Sequence, residues 1–219
     1  MTEVMRIDPL DIDFSLIRRA ARIISSGGLV VFPTETVYGL GAGIFHSQAV
    51  VRIFEVKERA ADKPLAVCIS FLDQLEQIVS VVPREAEVLI DSFLPGPLTL
   101  VLPKKAAVSA QVTANLNSIG IRYPDNKIAL ALISQAAVPI ATTSANISGK
   151  PSPTTAQEVL AWLPDQVDLV IDGGPTKLKV PSTIVDFTSP AYRLVREGAL
   201  SGEELNEVLN GEGFSSLRT

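Results

Sequence analysis

The fold prediction starts from residues 29–41, which read LVVFPTETVYGLG. The apolar run at its start has the length and composition of a strand buried on both faces, as in a sheet that carries helices on both sides. The run stops at Pro33, and Thr34, Glu35 and Thr36 follow directly. Since the chain has no Gly-rich phosphate-binding loop of the usual kind, this cluster of hydroxyls and a carboxylate indicates a different binding site at the end of the strand.

The rest of the chain alternates between segments with helical and with strand periodicity. Apolar spacing predicts helices at 15–26, 48–58, 72–82, 83–94, 127–137, 154–163 and 202–210, with Ser47 as the N-cap of the second. Strands are predicted at 29–33, 64–70, 98–103, 119–123, 138–143, 168–172, 182–187 and 192–197. This alternation is typical of an α/β fold, and the sequence contains neither repeats nor a convincing linker, so we expect one domain.

Composition and charge exclude several classes of protein. The chain has 219 residues, of which 47% are hydrophobic, and its net charge is −5. It is too apolar for a disordered protein, and no apolar run is long enough to span a bilayer. The acidic balance argues against broad affinity for nucleic acids, although a local basic patch stays open. The single cysteine rules out a disulfide framework, and with the mixed, acidic start of the chain it favours a cytoplasmic protein.

The single histidine restricts the possible chemistry further. With only His46 and Cys68, the chain cannot build a His/Cys zinc cluster. A Ser-His-Asp triad would have to use His46, which lies in the polar stretch FHSQA, where a histidine more often caps a helix or faces solvent. The sequence therefore offers few side chains suited to general-base or covalent catalysis. Phosphoryl or nucleotidyl transfer, usually with Mg²⁺, fits better because it depends on positioning and on charge stabilisation.

Hydroxyl groups follow several predicted strands, and cations lie near them. The hydroxyls are Thr34, Thr36, Thr142, Thr143, Ser144, Ser182 and Thr183, and the cations are Lys57, Arg59, Lys63, Arg122 and Arg196. Because ligands bind at the carboxyl ends of strands in open α/β sheets, these groups together predict a pocket for an anionic ligand. Taken singly, each has an ordinary explanation, since hydroxyls form turns and cations at a helix C-terminus complement its dipole.

Motifs along most of the chain are similar to those of one known family. They are PTETVYGLG at 33–41, Lys57-x-Arg59 with KPL at 63–65, LPGPLTLVLP at 94–103, IGIRYPD at 119–125, TTSANISGKPSPTT at 142–155, PSTIVDF at 181–187 and VREGAL at 195–200. From about residue 15 to 200 the chain resembles the YrdC-like threonylcarbamoyladenylate synthases, and its PTET-YGLG opening separates it from the YciO-like branch. We treat 1–14 as an N-terminal extension and 201–219 as a C-terminal helix and tail.

The resemblance implies a single α/β domain with a twisted mixed sheet around a deep, positively lined cavity. It also implies that the protein condenses L-threonine, bicarbonate and ATP into L-threonylcarbamoyladenylate and pyrophosphate. A downstream threonylcarbamoyl transferase complex then passes the threonylcarbamoyl group to tRNA. Because the chain stops at residue 219, the resemblance is to the short form of the family.

The resemblance further implies roles for individual residues. Contacts to L-threonine are expected from Thr36, Arg122, Thr142 and Ser182. Contacts to ATP are expected from Lys57, Arg59, Lys63, Ser118, Ser144, Asn146, Ser152 and Arg196, with Lys57 and Arg59 as the catalytic pair on the triphosphate. No general base is required if the carbamate of threonine forms in the pocket and its oxygen attacks the α-phosphorus.

Two alternatives stay open at this point. A protein of this fold could hold a nucleotide or double-stranded RNA without turnover, although the net charge of −5 counts against RNA. The second alternative is a carbamoyl-transfer domain like that of hydrogenase maturation proteins. Those proteins carry acylphosphatase and zinc-finger segments, which are missing from this sequence.

Overall fold

The computed structural model describes residues 1–190 and 192–218, and within them the chain folds around one mixed sheet of ten strands. The strands are β1 Glu3–Arg6, β2 Val30–Phe32, β3 Gly39–Gly43, β4 Ala66–Cys68, β5 Leu98–Pro103, β6 Ser118–Arg122, β7 Ile140–Ser144, β8 Leu169–Asp172, β9 Thr183–Asp186 and β10 Arg193–Arg196. The helices are α1 Phe14–Ser25, α2 Ser47–Val56, α3 Leu75–Ile78, α4 Arg84–Phe93, α5 Ala110–Thr113, α6 Lys127–Ala136, α7 Ala156–Trp162 and α8 Gly202–Gly211. This arrangement confirms the predicted α/β fold with a mixed sheet.

The sheet order is β1-β8-β2-β3-β7-β4-β6-β5-β9-β10. The sheet contains both parallel pairs (β1 with β8, β2 with β8, β4 with β6, β5 with β9) and antiparallel ones such as β2 with β3 and β5 with β6. Strands that are far apart in the chain therefore end side by side. The loop after β2, the end of β7 and the start of β9 all reach the same part of the molecule.

The sheet is covered on both faces, as the apolar run at 29–32 predicted. Val30 and Phe32 pack with α1 and α6 on one face, whereas Leu29 and Val31 belong to the core formed with α2, α4, α7 and α8 on the other. Side chains alternate between the two faces of a strand, so an unbroken apolar run supplies both cores at once.

The glycine-rich strand β3 was not predicted. Its sequence is GLGAG, and it lies in the middle of the sheet between β2 and β7. A Cβ added at Gly41 would lie 2.6 Å from Cγ2 of Ile140 and 2.9 Å from Cε1 of Phe32, so a side chain there would collide with its neighbours. The close approach of these neighbouring side chains explains why residue 41 is a glycine. Strand β1 and helix α5 were also missed, and β1 pairs with β8 although it lies within the stretch taken as an extension.

Two predictions about helices were wrong. Ser47 is the first residue of α2 and not its cap; His46 holds the N-cap position without a side-chain hydrogen bond. The helix predicted at 72–82 is a 3-10 turn at Leu72–Gln74 followed by the short α3. Across the described residues, every helix is too short or too polar to cross a membrane.

Candidate active site

A cavity of about 440 Å³ opens where the loop after β2 meets strands β4 to β7 and the hairpin of β9 and β10. It brings together nine of the residues predicted for the site: Thr36, Arg59, Ser118, Arg122, Thr142, Ser144, Ser152, Ser182 and Arg196. These residues are spread over more than 150 positions of sequence, and the sheet order places them around one space. Three predicted residues, Lys57, Lys63 and Asn146, do not line it.

The loop after β2 is held in shape by Thr34 and presents Thr36. The hydroxyl of Thr34 donates to the carbonyl of Val37 at 2.6 Å and accepts from the backbone N–H groups of Thr36 and Val37 at 3.2 Å each. Its Oγ1 also lies 2.8 Å from Oγ1 of Thr36. Thr34 thus uses its hydroxyl within the loop, as threonines in such turns do. Thr36 is the hydroxyl that faces a cationic partner.

Arg122, at the end of β6, is that partner. Its Nη2 donates to Oγ1 of Thr36 at 2.9 Å and to Oε1 of Glu35 at 2.8 Å. The side chains of Arg122 and Glu35 are only 10% and 4% exposed. Oε2 of Glu35 and Nε of Arg122 are buried without a hydrogen-bond partner among the described residues. A buried guanidinium with unused donors beside a cavity is suited to binding a carboxylate.

Arg196 is held over the start of β9. Its Nη2 and Nε donate to the carbonyl of Ser182 at 2.7 and 3.1 Å. The hydroxyl of Ser182 lies 2.8 Å from that of Thr99, which also lines the cavity. Thr99 was not predicted as a site residue, since a threonine within a strand is ordinary. The alternation of LTLVLP places Thr99 and Val101 on one face and was the available signal.

Arg59 lines the cavity and is held by the segment that follows it. Its Nε donates to the carbonyl of Lys63 at 3.1 Å and its Nη2 to the carbonyl of Pro64 at 2.8 Å. The side chain of Lys63 is exposed and does not line the cavity, so the segment 63–64 supports Arg59 through its backbone. Within the described residues, neither Arg59 nor Arg196 forms an ion pair with a carboxylate.

The electrostatics of the cavity favour an anion. Burial lowers the pKa of Arg59 and of Arg196, and the charge of Arg122 lowers that of Arg196 further. Such shifts mean that both guanidinium groups are poorly solvated and that Arg196 lies near a second cation, so a bound anion would stabilise them. Among the described lining residues, Asp186 alone carries a carboxylate, and it lies 3.6 Å from the guanidinium of Arg193. The predicted positive lining agrees with this geometry.

Lys57 and Asn146 contact each other behind the wall of the cavity. Nζ of Lys57 donates to Oδ1 of Asn146 at 3.0 Å and to its carbonyl at 2.5 Å. Burial, and secondarily the charge of Arg59, lower the pKa of Lys57 to about 7. Since both side chains are committed to protein partners, their assignment as ATP contacts stays a prediction.

Some apolar lining residues had not been singled out from the sequence. One part of the cavity is apolar and includes Val101, Leu116, Ile184 and Val195. Cys68 lies at the end of β4 next to Arg122 on β6, and burial raises the pKa of its thiol to about 11, so it is no nucleophile at neutral pH. Nowhere in residues 1–190 and 192–218 do three His, Cys, Asp or Glu side chains cluster as metal ligands would.

Known proteins are similar to this chain in sequence and in fold. A family model, Sua5_yciO_yrdC, described as "Telomere recombination", matches residues 22–198. A threonylcarbamoyl-AMP synthase of Pyrococcus abyssi is 49% identical over 193 residues, which cover 88% of this chain and 57% of that protein. A putative threonylcarbamoyl-AMP synthase of Mycobacterium tuberculosis is 36% identical over 90% of both chains.

A solved structure agrees with the sequence comparison. The crystal structure of P. abyssi Sua5 complexed with L-threonine superimposes with a TM-score of 0.94 at 45% identity and covers 99% of this chain and 62% of that one. The chain thus spans less than two thirds of the length of its Pyrococcus relative. The match by motif, by family model and by fold agrees over most of the chain, and the protein belongs to the Sua5/YciO/YrdC family.

Proposed function

We propose that this protein is an L-threonylcarbamoyladenylate synthase, which condenses L-threonine, bicarbonate and ATP into threonylcarbamoyl-AMP and pyrophosphate. The observation that carries the proposal is the cavity, in which Arg59, Arg122 and Arg196 lie among hydroxyl groups at strand ends. The name of the P. abyssi relative and its complex with L-threonine support the same activity.

The cavity offers separate groups for the two organic substrates. Arg122 and Thr36, with Thr142 and Ser182 beside them, would bind the carboxylate and the hydroxyl of L-threonine. Arg59 and Arg196 would bind the phosphates. The contacts of Lys63, Ser118, Ser144, Asn146 and Ser152 to the nucleotide belong to the same proposal.

The reaction depends more on the positioning of the substrates than on proton transfer by the protein. Threonine and bicarbonate combine to a carbamate with loss of water, and a carbamate oxygen then attacks the α-phosphorus while pyrophosphate leaves. The cations stabilise the charge that spreads over the phosphoryl oxygens in the transition state. Mg²⁺ enters with ATP as part of the substrate, held by phosphate oxygens and water, as is usual for this ion.

The product is an activated acyl group, and we propose that a downstream threonylcarbamoyl transferase complex passes it to tRNA. The proposed compartment is the cytoplasm, where the free thiol of Cys68 would stay reduced.

The test is pyrophosphate release from MgATP by the purified protein with and without L-threonine and bicarbonate, with D-threonine as the matched control. We expect release that requires both L-threonine and bicarbonate, together with formation of threonylcarbamoyl-AMP. Release that is indifferent to threonine, or binding of nucleotide or RNA without any turnover, would contradict the proposal.

A further inference from the structure

Lys57 lies directly after α2, and its side chain is turned into the protein. The residue is only 1% exposed, and it is among the largest side chains that are fully buried. It does not line the cavity, whereas Arg59, two positions later, does. A lysine in this place needs partners for its charge, because burying an unpaired ammonium is costly.

Those partners all belong to one turn. Nζ of Lys57 donates to the carbonyl of Ser144, to the carbonyl of Asn146 at 2.5 Å and to Oδ1 of Asn146 at 3.0 Å. An ammonium has three N–H donors, so these acceptors use all of them. A contact between Lys57 and a phosphate would require the loss of at least one of these bonds, and with it a buried acceptor would be left unpaired.

The backbone of Lys57 holds the same turn. Its carbonyl accepts from the N–H of Ser148 at 2.8 Å. Within the turn, the hydroxyl of Ser144 donates to Oδ1 of Asn146 at 2.6 Å, and Nδ2 of Asn146 donates to the carbonyl of Lys150 at 2.5 Å. Lys57 therefore contacts the turn from both its side chain and its main chain, and Ser144 at the start of the turn lines the cavity.

We propose that Lys57 is a positioning residue: it fixes the Ser144–Asn146 turn so that Ser144 faces the nucleotide, and it does not itself bind the phosphates. The inference rests on the proposed function, because it concerns how the same cavity holds its nucleotide. The motif alone implied that Lys57 contacts the triphosphate. In the present proposal only Arg59 and Arg196 have that role.

The experiment compares the affinities for MgATP and for AMP by calorimetry in three proteins: wild type, Lys57→Met and Arg59→Ala. A group that contacts the β- and γ-phosphates contributes to the affinity for ATP only, because AMP lacks these phosphates. The Ser144–Asn146 turn contributes to the affinity for both nucleotides. We expect Lys57→Met to weaken ATP and AMP by the same factor, on the order of tenfold. Arg59→Ala, the matched control, should weaken ATP on the order of tenfold more than AMP.

Two results for Lys57→Met would overturn the inference. A loss confined to ATP would make Lys57 a phosphate contact. Unchanged affinity for both nucleotides, with only a lower urea midpoint, would give Lys57 a purely structural role. Wild-type protein that binds neither nucleotide would instead refute the proposed function on which the inference depends.

A second variant keeps the test valid if Lys57→Met does not fold. Asn146→Ala removes the side-chain acceptor and leaves Lys57 in place. Equal losses for ATP and AMP are expected from Asn146→Ala alone. Where Lys57→Met does fold, the double variant should lose no more than Asn146→Ala, because both residues act through one turn. Affinities that stay at the wild-type value in Asn146→Ala, or losses that add up in the double variant, would contradict the inference.

Discussion

Arg122 donates to Glu35 across 2.8 Å inside the protein, and both side chains are almost completely shielded from water. The pair joins β6 to the loop after β2, and it aims the same guanidinium at Thr36. One ion pair therefore links the stability of the fold to the shape of the proposed threonine site. A substitution at Glu35 should change both.

Glu35→Ala should lower the free energy of unfolding by about 3–5 kcal/mol, because it leaves the charge of Arg122 buried and unpaired. Urea denaturation measures the loss. Glu87→Ala, which removes the exposed pair with Arg84, is the matched control and should cost less than about 1 kcal/mol. Similar losses in the two variants would mean that the buried pair does not stabilise the fold.

Arg59→Ala should reduce the rate of pyrophosphate release on the order of 10- to 100-fold, since a charge-assisted hydrogen bond contributes about 1.5–3 kcal/mol. Arg59→Lys keeps the charge but loses the planar fork, and we expect an intermediate rate. Steady-state kinetics at saturating L-threonine measure both variants. Turnover of Arg59→Ala within about twofold of wild type would refute the assignment of Arg59 to the phosphates.

Gly41→Ala should destabilise the protein by about 1–3 kcal/mol, because the new methyl group overlaps Ile140 and Phe32 in the centre of the sheet. Gly211→Ala is the control: its Cβ meets nothing within 4 Å, and this change at the end of α8 should be neutral or stabilising by up to about 1 kcal/mol. Thermal or urea unfolding of both variants checks the expectation. Equal stability of the two variants would exclude close packing as the reason for Gly41.

Cys68 should make the protein less stable at alkaline pH. Burial raises the pKa of its thiol from 9.0 to about 11, so between these values the unfolded chain loses the proton and the folded protein keeps it. The unfolded state is thereby favoured as the pH rises, by about 2 kcal/mol near the upper end of the window.

The variant Cys68→Ala removes this contribution and serves as the comparison, because every other titrating group stays in place. From about pH 9 upward, the unfolding free energy of the wild type should fall relative to that of Cys68→Ala. A difference that does not vary with pH would mean that the thiol titrates at its ordinary value in the folded protein.

Sequence patterns predicted the parts of this protein that depend on local chemistry. The apolar run at 29–32 gave a strand with two buried faces, and the hydroxyls at strand ends converged because the sheet brings those ends together. Strand β3 escaped prediction because GLGAG has too few side chains to display a period of two. Neighbouring strands, and not its own residues, determine that it is extended.

Contacts between residues that lie far apart in the sequence could not be predicted either. Thr99 becomes part of the cavity through Ser182, which lies 83 positions away in the chain. The motif K-x-R likewise does not tell which way a long side chain turns at the end of a helix. Arg59 reaches the cavity, while Lys57 turns to the Ser144–Asn146 turn.

Arg122 and Arg196 both line the cavity, but they belong to strands that are held differently. Arg122 belongs to β6, which is paired on both sides, by β4 and β5. Arg196 belongs to β10, an outer strand with largely exposed residues and an irregular register against β9. Local opening is easiest where few buried apolar contacts hold a segment. We therefore expect the side of the cavity formed by β10 to open locally more easily than the side formed by β6.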